Sequence, residues 1–351
     1  MSQNSIIDPR QIPLLDEFIA RAGVITLTAH TFPDGDAAGS VSALCSYLRE
    51  SRGKDAVIVL PNPCPETLDF IFAGLPLLLY SQSPELSLAR IRESDLLISL
   101  DYNAFRRTEG LCEALSGSTA TKVLIDHHLE PDNEAFNLVF SRPDISSASE
   151  MLFWILMALP DVGDDPRKLP SAAARALLAG MTTDTNNFAN SVYPSTFRMA
   201  SALLGAGVDR DDILDRLYNS ARENRVRLIG YLLGEKMTLA CDGAVSVMIL
   251  DEAARRRFDI REGESEGIVN MPLAIRSVRM SVFLKQYDEE GNFHVSIRSK
   301  RGVSAARFAR EYFHGGGHEM AAGGRLYYPA DVAAPEDALQ FVLNALKKPL
   351  P

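Results

Sequence analysis

Residues 24–40 read Val-Ile-Thr-Leu-Thr-Ala-His30-Thr-Phe-Pro-Asp34-Gly-Asp36-Ala-Ala-Gly39-Ser40. The run Val24–Ala29 is short, apolar and β-branched, which predicts a buried strand. From Ala37 to Arg49 the apolar residues Val41, Leu44, Tyr47 and Leu48 recur at helical spacing. The same alternation continues along the first half. Ala56–Leu60, Leu96–Leu100 and Lys122–Ile125 are three further strand-like runs, the first broken by the proline-rich segment Pro61–Pro65. Helical patterns follow near Ser147–Leu159 and Ser171–Met181. Strands alternating with helices imply an α/β fold, a mostly parallel sheet covered by helices on both faces.

The second half changes character. Arg198–Leu233 is mostly helical, with Leu203, Leu204, Ile213, Leu217, Leu228 and Leu232 as expected core positions. Beyond it, Ala244–Leu250, Arg279–Gln286 and Phe293–Arg298 alternate apolar with polar residues, the last two joined by a hairpin-like turn, YDEEGN, that contains Gly291. A helix at Val303–Tyr312 leads into Gly315-Gly316-Gly317-His318. The expected organisation is a domain over 1–190, a helical connector over 191–235 and a smaller α+β domain over 236–351.

Composition narrows the classes. With 46% apolar and 23% charged residues, the 351-residue chain is globular rather than disordered. No apolar stretch approaches the roughly 20 residues of a membrane span. The start, MSQNSIIDPRQ, lacks a basic segment followed by an apolar one, so a cytoplasmic protein is expected. Net charge is −10, which argues against coating long nucleic acid such as duplex DNA. Cys45, Cys64, Cys112 and Cys241 form no CxxC pair, and a thiolate metal site is unsupported.

Chemistry concentrates in four segments, three of them where a predicted parallel strand ends, the place where ligands collect in open α/β sheets. The first holds His30, Asp34 and Asp36, with Gly39 and Ser40 at a helix start offering small groups and N–H donors to an oxyanion. An EF-hand reading of its DxD fails, because positions five and twelve hold Ala38 and Cys45. The second is Asp101, after Leu96–Leu100. The third is Asp126-His127-His128, after Lys122–Ile125. The fourth holds Asp184 beyond an apolar helix. Each aspartate alone could be a cap or turn residue, whereas adjacent histidines after a buried strand are unusual. Together they bring carboxylates and imidazoles to one sheet edge, where burial demands compensating cations. Such ligands without thiolate suit Mn²⁺ or Mg²⁺, and there are enough of them for two ions.

The order His30-x3-Asp34-x-Asp36-x2-Gly39-Ser40, Asp101, Asp126-His127-His128, Asp184 and Gly315-Gly-Gly-His318 resembles that of the DHH–DHHA1 phosphoesterases, from His30 to Gly324. Within them it is similar to the NrnA-type branch, oligoribonucleases that are also phosphatases of 3′-phosphoadenosine 5′-phosphate (pAp). The resemblance implies two divalent cations, Mn²⁺ before Mg²⁺ or Co²⁺. One would be held by His30, Asp34 and Asp101, the other by Asp36, Asp101, His127 and Asp184. It also implies that His128 faces the substrate phosphate, that Gly315–Gly317, His318 and Arg298 hold the nucleotide's far end, and that a homodimer forms. Arg107 and Arg279 are further candidates for substrate contact. Between Arg276 and Arg325, nine Lys or Arg stand against five acids, a local balance of +4 in an acidic chain. The expected reaction is hydrolysis of short oligoribonucleotides or pAp. Rival readings are a cyclic-dinucleotide or pApA phosphodiesterase, a pyrophosphatase or exopolyphosphatase, and a non-enzymatic nucleotide sensor.

Overall fold

The structure, a computed structural model, describes residues 6–261, 263–287 and 292–347. The chain divides into two compact units, 1–220 and 221–351. In the first, the elements run α1 (Ile12–Arg21), β1 (Val24–Thr28), α2 (Gly35–Glu50), β2 (Asp55–Leu60), β3 (Leu77–Leu79), α3 (Pro84–Glu93), β4 (Leu96–Leu100), α4 (Cys112–Gly117), β5 (Thr121–Asp126), β6 (Leu138–Ser141), α5 (Ala148–Ala158), α6 (Ser171–Asp184), α7 (Pro194–Gly205) and α8 (Arg210–Tyr218). The six strands form one sheet in the order β3-β2-β1-β4-β5-β6. Every pairing is parallel, with Ile25 opposite both Ala56 and Leu96, and Leu100 opposite Ile125. Its central strands are unbroken apolar runs because both faces are covered; all five residues of β4 are buried. The chain reverses its direction across the sheet between β1 and β4, the switch point where such folds gather ligands.

Helix α2 carries the site's first segment and is buried from Gly35 through Leu48. Its small residues permit this. A Cβ placed on Gly39 would stand 2.7 Å from both the Ala176 carbonyl oxygen and the Gly180 Cα of α6. Two helix backbones therefore touch at Gly39 and Gly180, where side chains normally keep helix axes 8–10 Å apart. Asp36 lies three residues before one glycine and Asp184 four residues after the other, so the contact brings the two carboxylates together.

The second unit contains α9 (Glu223–Tyr231), β7 (Thr238–Ala240), β8 (Val245–Leu250), α10 (Glu252–Arg257), β9 (Met280–Gln286), β10 (Phe293–Ser299), α11 (Ala305–Tyr312), β11 (Gly316–Gly317), β12 (Ala321–Leu326) and α12 (Ala338–Ala345). Its sheet runs β11-β12-β10-β9-β8-β7, with only β8 and β9 parallel. The alternation read in Phe293–Arg298 reappears as alternating burial along β10. Residues 288–291 of the expected hairpin turn lie outside the described residues.

One expected core residue is not in the core. Leu203 is fully buried, whereas its neighbour Leu204 is 45% exposed. Adjacent helical residues point about 100° apart, so α7 can bury only one of them. Among the described residues no helix is long and apolar enough to cross a membrane.

The α2–α6 contact makes a prediction. Replacing Gly39 by Ala should destabilise the protein by about 1–3 kcal/mol, the usual cost of overpacking. Replacing the exposed, unobstructed Gly205 by Ala should leave stability within about 0.5 kcal/mol. Urea unfolding of both variants measures the difference, and equal midpoints would contradict it.

Candidate metal centre

Each sheet loop delivers one part of the cluster. His30 lies two residues beyond β1, Asp101 follows β4 directly, and His127 and His128 follow β5. Asp34 is the N-cap of α2, its Oδ1 accepting from the Asp36 and Ala37 amides at 3.0 and 3.2 Å. The ordinary capping role and membership of the cluster thus coincide in one residue. Asp101 has a left-handed backbone, φ +63°, held by its N–H to the Ile125 carbonyl at 3.0 Å. Asp is among the few side chains that tolerate this region, and such strain collects at functional sites.

The side chains then converge. His30 Nε2 lies 3.5 Å from Asp101 Oδ2 and 4.0 Å from Asp34 Oδ1. His127 Nε2 lies 3.4 Å from Asp101 Oδ1, 3.6 Å from Asp184 Oδ2 and 4.0 Å from Asp36 Oδ2. Three triplets result, His30–Asp34–Asp101, Asp36–His127–Asp184 and Asp101–His127–His128, with the donor atoms of each within 4.8 Å of one another. Asp101 is 2% exposed and turns Oδ2 toward His30 and Oδ1 toward His127. Its Oδ1 is buried without a hydrogen-bond partner, a costly condition that a cation would relieve. Oxygen and nitrogen ligands about 2.1 Å from a common ion stand roughly 3.0–3.5 Å apart, near the spacings here. The residues present fit a pair of divalent cations.

Partners behind these donors hold them in place. His30 Nδ1 donates to the Thr31 carbonyl at 2.9 Å, which leaves Nε2 for the cluster. The Asp36 carboxylate accepts from the amides of Ala148 and Ser149 at 2.6 and 2.9 Å, the first two residues of α5. A helix N-terminus favours negative charge there. His128 Nδ1 lies 2.7 Å from Asp126 Oδ1, and His128 Nε2 lies 3.0 Å from Arg107 Nη1. The Arg107 carbonyl in turn accepts from the Thr31 amide and hydroxyl, at 2.8 and 2.9 Å, tying the loops after β1 and β4 together.

Charge in this cluster is divided by burial and proximity. Burial alone would push the His127 imidazole down, but Asp101, with Asp184 and Asp36 beyond it, holds it well above its usual range. His30 is raised in the same way by Asp101 and Asp34. Burial would raise Asp101, yet His127 and His30 keep it well below the carboxylate range. Burial, with Asp101 and Asp184 close by, drives Asp36 well up. Burial lifts the Asp184 carboxyl to about 7, His127 opposing and Asp101 and Asp34 adding. Without cations, protons share out the negative charge.

Not every expected site residue joins this cluster. Ser40 is fully buried, and its hydroxyl donates to the Ala37 carbonyl at 3.2 Å. Because α2 begins at Gly35 and not at Ser40, the Ser40 amide lies beyond the first turn, inside the helix's own hydrogen bonding. Arg298 lies on β10 in the second unit, where burial lowers its pKa and its Nη1 donates to the Ile297 and Ala322 carbonyls at 3.0 and 3.4 Å. Arg279 is exposed, Nη2 donating to the Gly302 carbonyl at 3.2 Å. Gly316 and Gly317 form β11, and a Cβ on Gly315 or Gly317 would strike β12. Those two glycines serve close backbone packing. His318 follows, exposed, its amide donating to the Ala321 carbonyl at 2.8 Å. Sequence reasoning passed over Asp126, Thr31 and the α5 amides. Only Asp126, quoted within its motif, had any signal there.

Comparison with known proteins fits this geometry. Residues 24–181 match the model of the DHH family, N-terminal domain, and residues 243–348 that of the DHHA1 domain. The chain belongs to the DHH–DHHA1 family and is a metal-dependent phosphoesterase, a hydrolase of phosphoester bonds. More particularly, it is 28% identical over 308 residues to the bifunctional oligoribonuclease and PAP phosphatase NrnA of Bacillus subtilis (strain 168), covering 86% of this chain and 89% of that one. It is 30% identical to the protein of the same description from Thermus thermophilus, covering 87% and 84%. A crystal structure of an exopolyphosphatase-related protein from Bacteroides fragilis superposes with a TM-score of 0.89 at 33% identity, covering 97% of both chains. RecJ from Thermus thermophilus in complex with Mn²⁺ shares the fold at 17% identity and a TM-score of 0.59, covering 99% of this chain and 56% of RecJ.

Because a cation must displace the protons held by His127 and Asp184, its binding should strengthen as pH rises. Between pH 6 and 7, Mn²⁺ affinity should tighten by roughly one to two decades per pH unit, reflecting one to two protons released. Calorimetric titration of metal-free protein in buffers of different ionisation enthalpy counts those protons. A flat profile would contradict the assignment.

Proposed function

We propose that this chain hydrolyses short oligoribonucleotides to mononucleotides and pAp to AMP. The observation that carries the reading is Asp101, one buried carboxylate with an oxygen near each of two imidazoles, His30 and His127. In this reading His30, Asp34 and Asp101 hold one cation and Asp36, Asp101, His127 and Asp184 the other, with Mn²⁺ preferred and Mg²⁺ or Co²⁺ as alternatives. When bound, the pair supplies Lewis-acid charge that acidifies an attacking water and polarises the phosphoryl oxygens. Once a cation has displaced their protons, His30 and His127 would turn neutral nitrogens to the cluster. The α5 amides fix the Asp36 carboxylate, and Arg107 and His128 face the substrate phosphate. Preorganised charge of this kind is worth most in a site with little water.

The substrate's remaining phosphate and base are assigned to the second unit, through Arg298, Arg279, His318 and the backbone of Gly315, Gly316 and Gly317. Residues 1–190 then carry the metal chemistry, 191–235 connect, and 236–351 bind substrate. The two NrnA relatives, matched over most of their length, support short oligoribonucleotides and pAp as the substrates. A cytoplasmic setting is in keeping with cysteines that form no disulfide among the described residues. The exopolyphosphatase-related structure favours polyphosphate as a second reading.

The two readings separate in one experiment. The Mn²⁺-loaded protein is offered pAp, pApA, a 5-mer RNA, pyrophosphate and polyphosphate. The expected order of kcat/KM places the 5-mer and pAp first, and Asp101→Ala should lower hydrolysis of both by at least about 10³-fold, the scale expected when a reaction loses its metal. A preference for polyphosphate, or wild-type turnover in the variant, would overturn the proposal.

A further inference from the structure

Asp126 is not among the residues assigned to the cations. It ends β5, opposite Ser141 of β6, and is fully buried. A buried carboxylate is expensive unless it has something to bind. Its Oδ2 is buried with no hydrogen-bond partner, while its Oδ1 lies 2.7 Å from His128 Nδ1. The far side of the same ring is also engaged, because His128 Nε2 lies 3.0 Å from Arg107 Nη1. These two contacts fix the ring's proton. A guanidinium can only donate and an ionised carboxylate can only accept. An imidazole that bridges two such groups carries its proton toward the carboxylate and turns its lone pair to the guanidinium.

We propose that Asp126 is a positioning residue for phosphoester hydrolysis: it holds His128 in the Nδ1–H tautomer so that Nε2 is the working atom, with Arg107 as the group that engages Nε2 before substrate arrives. The inference deepens the proposed function and rests on that reading for its kinetic consequence. It does not rest on it for the tautomer, which is a property of the substrate-free protein. Three features serve the arrangement. Asp126 is anchored by strand pairing rather than by a loop. His128 follows it by two residues, so the ring folds back onto the carboxylate that precedes it. Arg107 is held through its own backbone by Thr31, whose carbonyl also takes the His30 Nδ1 proton. The same short segment therefore aligns a cation ligand and the arm beside His128.

The geometry also separates Asp126 from the cation ligands. Neither Asp126 oxygen belongs to any of the donor triplets. His128 Nδ1 is 3.8 Å from Asp101 Oδ1, farther than from Asp126 by more than an ångström. Loss of the Asp126 charge should consequently alter how His128 meets the phosphate without emptying the centre.

The test has a spectroscopic arm and a kinetic arm. The chain has six histidines, few enough for selective ¹⁵N-histidine labelling, with His128→Gln identifying the resonances. In Mg²⁺-loaded wild type, which avoids paramagnetic broadening, His128 should show a protonated Nδ1 and an unprotonated Nε2. In Asp126→Asn, whose amide can donate as well as accept, the Nδ1–H share of the signal should fall. For kinetics, Asp126→Asn should lower kcat on pAp and on a 5-mer RNA about 10–100-fold, the range typical of partners that orient site residues. KM and the bound metal per chain should stay within about threefold, because the carboxylate touches neither cation donor set. In a His128→Gln background the same substitution should cost less than about threefold, since Asp126 acts only through His128. A proton found on Nε2 in the wild type, an unchanged kcat, or an equal loss in both backgrounds would overturn the inference. If the loaded wild type hydrolyses no phosphoester at all, the proposed function fails while the labelled wild type still decides the tautomer.

Discussion

Three aspartates and the imidazoles of His30 and His127 crowd around one carboxylate, Asp101, that is nearly sealed from water. Negative charges packed this closely repel at several kcal/mol per pair in a medium of low polarity. Something positive must stand between them. In the protein alone, protons on the imidazoles and on Asp184 do so, which is why His127 is raised while Asp101 is lowered. The scaffold makes this arrangement possible by spending rigid elements on it. Asp101 sits on a left-handed residue at a strand end, and Asp36 is clamped by the start of a buried helix.

Two features of the fold bring the donors together. The reversal of strand order between β1 and β4 opens a crevice beyond their carboxyl ends, where His30 and Asp101 sit side by side. The glycine contact between α2 and α6 then closes the distance from the helical side, since no larger residue at 39 would let the two backbones meet. Strands supply imidazoles and the shared carboxylate, and helices supply Asp36 and Asp184. The cluster needs both.

Much of this was legible in the sequence because it depends on local patterns. The unbroken apolar runs of β1, β2, β4 and β5 and the spacing in α2, α5 and α6 announce a covered parallel sheet, and strand ends announce where its site lies. The edge strands β3 and β6 were not foreseen: Leu77–Leu79 and Leu138–Ser141, of three and four residues, are too short to show a period. Strand β12, Ala321–Leu326, hides for another reason, its glycines reading as a loop until the packing of Phe313 against Gly324 is seen. In the site, residue types declared themselves while their supports did not. Ser40 looked like an oxyanion donor because the start of α2 was placed two residues late. The amides that hold Asp36 come from 112 and 113 positions away, a separation no motif records.

All seven side chains gathered at the centre, His30 through Asp184, come from the first unit. The donor cluster is thus assembled entirely from residues that precede 221. A substitution among the remaining 131 residues removes none of those seven donors, so the cage for the ions and the rest of the chain can vary as separate inheritances.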